Sequence, residues 1–140
     1  MAPPASEMHM EFKICKIASA ASTDGRMAAF REITRPGSGP PLHTHGHQVE
    51  VFHVIRGQHL FVVDGVESVA SEGDCLTVAA GLSHTFKNIS TADGELHFSL
   101  LPAGDSETFF SRLVAGEFDP DNIPAFFGQY DILLDGPPLP

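Results

Sequence analysis

At 140 residues the chain has room for one domain, long enough to bury roughly 68–70% of its unfolded surface, and none for a second of ordinary size. Apolar residues make up 42% and charged residues 19%, with 13 Gly, 11 Pro and 11 Phe, a balance that excludes general disorder and indicates a fold rich in turns. A formal net charge of −10 argues against nucleic acid and anionic membranes, both of which require a positive patch, and leaves a small molecule as the expected partner.

In chain order, residues 1–8 are rich in Pro and Ala and read as a mobile tail. Met1 to Glu7 lacks the basic start and apolar core of a signal peptide, and no apolar run approaches the length of a membrane span, so the expected compartment is the cytoplasm. Met10, Phe12 and Ile14 alternate with Glu11, Lys13 and Cys15 as in a half-buried strand, and residues 27–34 form a second such run, closed by Arg35, Pro36 and Gly37. Pro40 and Pro41 then hold the chain extended on its approach to His43. Further strands are predicted at 50–55, 59–63, 66–69, 76–79, 84–88 and 96–101, with Asp64-Gly65 as a hairpin turn. Short strands broken by turns, without alternating helices, predict an all-β fold, a small antiparallel jelly-roll barrel.

After residue 105 the period changes. Phe109, Phe110, Leu113 and Val114 recur at helical spacing, Asp105 and Ser106 are the expected cap, and residues 123–130 predict another helical turn or two. The expected domain plan is therefore a tail at 1–8, a barrel at 9–104 and a C-terminal helical segment with a Pro-rich end at 105–140, its Phe residues serving core packing rather than a lid. Cys15 and Cys75 are too few and too isolated for a disulfide framework and read as buried free thiols.

The chemistry concentrates in four side chains. His43 and His45 stand at i and i+2, so one strand can present both imidazoles to one ion. Glu50 lies at an odd offset from His45 and can join them only if the chain bends, for which Gly46 is the expected place. Beyond that bend Glu50, Phe52 and Val54 share a face, which turns His53 away. A turn at Ala80-Gly81 brings in His84, on the face shared with Phe86 and Asn88. Three imidazoles and a carboxylate suit one divalent transition metal ion, whether Fe, Mn, Ni, Cu or Zn. Four protein ligands on a six-coordinate ion also leave two positions for substrate or dioxygen. His47 is expected in solvent, with ligation as the alternative; His59 and His97 are weaker candidates for carrying protons in the pocket.

These residues fall in two spaced patterns, Gly37-x5-His43-x-His45-x4-Glu50-x6-Gly57 and Gly73-x7-Gly81-x2-His84-x3-Asn88, separated by fifteen residues. The pair resembles the cupin family, in its single-domain, type-2 conserved-barrel form, over roughly 30–101; one departure is Ala79, where the family pattern usually has proline. The resemblance implies a β-barrel with His43, His45, Glu50 and His84 as metal ligands. Glu107-Thr108-Phe109-Phe110 and the closing Gly136-Pro137-Pro138-Leu139-Pro140 look, more loosely, like cupins related to quercetin dioxygenases. Three functions follow as expectations. The first is a metal-dependent dioxygenase acting on a small enolic or aromatic, flavonol-like substrate, with Phe52, Phe61, Phe86 and Phe98 as an apolar wall and Glu50 doubling as proton acceptor. The others are a zinc-type Lewis-acid cyclase or isomerase and a non-catalytic binding protein. Sheet edges and apolar outer surface lead to the expectation of a homodimer.

Overall fold

The computed structural model describes residues 13–140. The expected tail at 1–8 and the start of the first alternation, at Met10 and Phe12, lie outside the described residues. Among the described residues, ten strands form two five-stranded sheets. One sheet has β1 (Lys13–Ala18), β2 (Ala28–Thr34), β9 (Gly94–Leu101), β4 (Val49–Arg56) and β7 (Cys75–Val78), side by side in that order. The other has β10 (Ile132–Gly136), β3 (Leu42–His45), β8 (Ser83–Asn88), β5 (His59–Val63) and β6 (Val66–Ala70). Every neighbouring pair is antiparallel, and the sheets face each other as in a jelly roll.

Alternation builds the interior. Phe30, Phe52, Val54, Phe61, Phe86, Leu96, Phe98 and Leu100 point inward from both sheets and form one buried cluster, while His53 and Arg31, between them on the same strands, face solvent. The β5–β6 hairpin turns at Asp64 and Gly65, with φ of 49° and 76°, both positive as a type I′ turn requires. The bend expected at Gly46 is a change of sheet: β3 ends at His45 in one sheet and β4 starts at Val49 in the other. The odd offset between His45 and Glu50 therefore breaks no face; the residues look at each other across the barrel.

The C-terminal segment folds into α1 (Ser106–Ala115), α2 (Ile123–Gly128) and then β10. Phe109, Leu113, Ile123, Phe126, Phe127 and Ile132 make a second buried cluster, joined to the first where Phe110 packs at 4.7 Å and 5.2 Å from the rings of Phe30 and Phe98. The helices thus sit over one end of the barrel. Three local expectations are corrected. Asp105 and Ser106 give α1 no side-chain cap, because the Ser106 hydroxyl is turned to the Ala103 carbonyl at 2.7 Å. Val114, counted with the buried helical face, is 47% exposed, since α1 buries only a narrow stripe. Cys15 and Cys75 are free but exposed, on β1 and β7 at the two edges of their sheet.

Candidate metal centre

His43 and His45 come from β3, His84 from β8 and Glu50 from β4, so one sheet supplies three imidazoles and the facing sheet the carboxylate. His43 and His84 are directly opposite in the β3–β8 register. One ligand atom from each of the four can be chosen so that all lie within 4.8 Å of one another, and all four residues are buried.

Backbone carbonyls orient the rings. Nδ1 of His43 lies 2.7 Å from the Pro41 carbonyl and Nδ1 of His84 lies 3.0 Å from that of Leu82. A carbonyl only accepts, so Nδ1 carries the proton and Nε2 is turned to the cluster, the arrangement that fixes the tautomer of a metal-binding histidine. Pro41 therefore does more than stiffen the lead-in. Gly81, with φ of 84°, makes the turn that delivers His84, and its amide donates to the His45 carbonyl at 2.9 Å.

Glu50 Oε1 takes contacts from both His84 Nε2, at 2.9 Å, and His45 Nε2, at 3.3 Å. Burial pushes the Glu50 carboxyl up, but the hydrogen bonds and charges of His45 and His84 outweigh it and hold the group well below the ordinary carboxylate range. Burial works against the charged form of His84 too, and the Glu50 carboxylate more than compensates, leaving this imidazole raised. His43, lacking a direct partner of that kind, is pushed down by burial and by the neighbouring imidazoles to about 3 and stays neutral. Among the described residues His45 Nδ1 is buried without a partner. Once the protons shared with the Glu50 oxygen are released, the imidazole nitrogens and the carboxylate present lone pairs to one point, a set that fits a divalent transition ion.

The cluster opens on a cavity of about 50 Å3 whose walls include Glu32, Phe52, Phe86, Phe98, Phe109, Phe110, Phe127 and Ile132. Phe61, expected in this wall, is fully buried deeper in the core, at 5.1 Å from Phe52. His53 and His47 are exposed, the latter paired with Asp131 through Nδ1. His59 is fully buried away from the cluster, 2.8 Å from Thr34 Oγ1, and burial lowers it to about 4. His97 faces outward on β9, 3.0 Å from Glu95. None of these four borders the cavity. Glu32 is the residue that sequence reasoning missed. It is 6% exposed, and its signal was its parity on β2, where Phe30, Glu32 and Thr34 share the inward face. The cavity contributions of Phe109, Phe127 and Ile132 were equally hidden, since they depend on how the C-terminal segment docks.

Among the described residues no helix is long and apolar enough to cross a membrane. A search of curated proteins gives no match. Among solved structures, the chain is similar to a predicted oxalate decarboxylase from Thermotoga maritima, at 22% identity and TM-score 0.63 over 65% of this chain and 80% of that one. It is also similar to KdgF from a Halomonas species, at 15% identity and TM-score 0.63 over 69% and 84%. A sugar phosphate isomerase of the cupin superfamily from Silicibacter pomeroyi matches at 21% identity and TM-score 0.60 over 73% and 67%. At such identities the likeness speaks for the fold alone. The family model described as a cupin domain matches residues 30–100, just over half the chain and the stretch that holds all four clustered residues, and with the two facing antiparallel sheets this places the protein in the cupin family.

Proposed function

We propose that the protein is a metal-dependent dioxygenase acting on a small enolic or aromatic substrate, with His43, His45, Glu50 and His84 as the metal ligands and Glu50 also as proton acceptor. The observation that carries the reading is the convergence of three imidazoles and one carboxylate beside a cavity whose further walls are apolar, phenylalanine foremost, apart from Glu32. A redox-active ion held there would supply electron exchange between substrate and dioxygen. The chain's own residues would do the rest. Phe52, Phe86 and Phe98 would exclude water from the bound substrate, and the hydrogen bonds on His43 and His84 would keep both rings aimed. An enolic hydroxyl made acidic by the bound ion could pass its proton to Glu50, the carboxylate of the cluster, which carries none of its own.

The test is metal analysis of protein purified without chelator, followed by oxygen uptake against small enediols, β-diketones and flavonols. Oxygen consumption with a redox-active ion, lost on zinc substitution, is the expected result; turnover that persists with zinc under anaerobic conditions overturns it. The second carboxylate, Glu32, is the observation in favour of that other outcome, a Lewis-acid isomerase or cyclase, since such chemistry needs a proton carrier besides the ligand Glu50. A homodimer is part of the proposal, supported by β1 and β6 being edge strands among the described residues and by the exposed side chains of Ile17, Val66 and Val69 on them.

A further inference from the structure

Glu32 stands on β2, separated from β4 and Glu50 by β9. Its position in register is opposite Leu96, which in turn faces Val54, so the two carboxylates enter the cavity at different levels and make no hydrogen bond to each other. A glutamate in such a setting is costly: its residue is 6% exposed, it lines the cavity together with Phe98 and Phe110, and Oε2 has no hydrogen-bond partner among the described residues. Buried polar atoms are paired in the great majority of cases, and the exceptions call for an explanation. Core packing does not supply one, because a leucine of similar size would fill the space without the desolvation cost.

Resting on the metal-centre reading above, we propose that Glu32 is a specificity-determining contact of the substrate, hydrogen-bonding the far end of a small ligand whose near end is held at the His43, His45, Glu50 and His84 cluster. The ligand class is then a compact molecule with polar atoms at both ends, a chelating group at one and a hydroxyl or carbonyl at the other. An apolar ligand of the same length would leave Oε2 unpaired and bind less well. In the metal-free protein, burial reinforced by the charge of Glu50 pushes the Glu32 carboxyl up to about 8; in that protonated form it has both an O–H to donate and a carbonyl oxygen to accept.

The experiment uses cobalt(II)-loaded protein, whose visible absorption reports ligand binding, and a matched series of alkyl hydroxamates differing only in a terminal methyl or hydroxyl. For at least one chain length the wild type should prefer the hydroxyl-ended ligand about tenfold, the size of one net hydrogen bond. Glu32→Gln should keep the preference, Glu32→Leu should abolish or reverse it, and both should retain full metal content. In infrared difference spectra the acid carbonyl band that Glu32→Gln removes should shift when the hydroxyl-ended ligand binds, a readout that holds even if Glu32→Leu fails to fold. A preference absent from the wild type, a preference that survives in Glu32→Leu, an unshifted band, binding of neither ligand or reduced metal content in Glu32→Gln each overturns the proposal. Failure of the dioxygenase reading is seen separately, as oxygen uptake that never occurs while the ligand preference stands.

Discussion

Glu50 and Glu32 sit on one sheet and line one cavity, and their surroundings drive them to opposite charge states. Glu50 has two imidazoles within 3.3 Å and stays ionised; Glu32 has none and is pushed up to about 8. Glu50→Gln keeps the shape but removes the charge and most of the basicity, so both metal content and turnover should fall, and full activity at normal metal content would remove Glu50 as ligand and base alike. For Glu32 the expected effect is on stability. Between pH 4.5 and about 8 the unfolded chain has released this proton and the folded protein keeps it, so Glu32's own contribution to the stability of the metal-free protein declines as pH rises across that window, while His43 and His59, held neutral by burial, contribute in the opposite direction in its lower part. Glu50 and the cavity imidazoles His43 and His45 face the same space, but Glu32→Gln leaves them in place. The thermal midpoint of metal-free Glu32→Gln, measured relative to that of the wild type, should therefore rise between those pH values; parallel curves would mean that Glu32 is ionised. The four clustered residues were legible because their spacing ties chemistry to strand parity. Glu32 was not, since a single carboxylate in an alternating strand looks the same whether it faces water or the core until the partner strands are known.

The strands of the barrel were readable from alternation and turn chemistry, as at Asp64-Gly65, but β10 was not. Ile132-Leu133-Leu134 shows no alternation, and its partner is β3, far away in sequence, with Ile132 opposite His45 and Leu134 opposite His43. This long-range pairing places the C-terminal segment over the site. The helices contribute stability and a wall at once: Phe109 is 3% exposed and lies 5.3 Å from Phe126, 5.1 Å from Phe127 and 5.2 Å from Tyr130, ring to ring. Phe109→Ala should cost about 3–5 kcal/mol and enlarge the cavity, so longer hydroxamates should bind better relative to short ones while metal content holds. Denaturant unfolding together with ligand titration checks this; an unchanged length preference would mean that Phe109 serves packing only. At the other end, Thr34 and His59 form a buried pair at 2.8 Å, and Thr34→Val should cost about 1–3 kcal/mol by stranding the imidazole, with no change in metal content or ligand binding.

At the scale of the whole molecule, two facing sheets bring His43 and His45 of β3, Glu50 of β4 and His84 of β8 together, and the C-terminal segment covers that end. β1 and β6, edge strands among the described residues, lead to the expectation of a dimer at micromolar concentration by light scattering, and a monomer would remove that part of the proposal. The central claim is that this convergence is a metal site. Its most direct measurement is an anomalous difference map, at the edge of the ion found by metal analysis, from crystals of protein purified without chelator. The account predicts a single strong peak bonded to Nε2 of His43, His45 and His84 and to a Glu50 carboxylate oxygen. A peak at His47 and Asp131 instead, or no peak at the cluster after incubation with iron, nickel, copper, manganese or zinc, would contradict it.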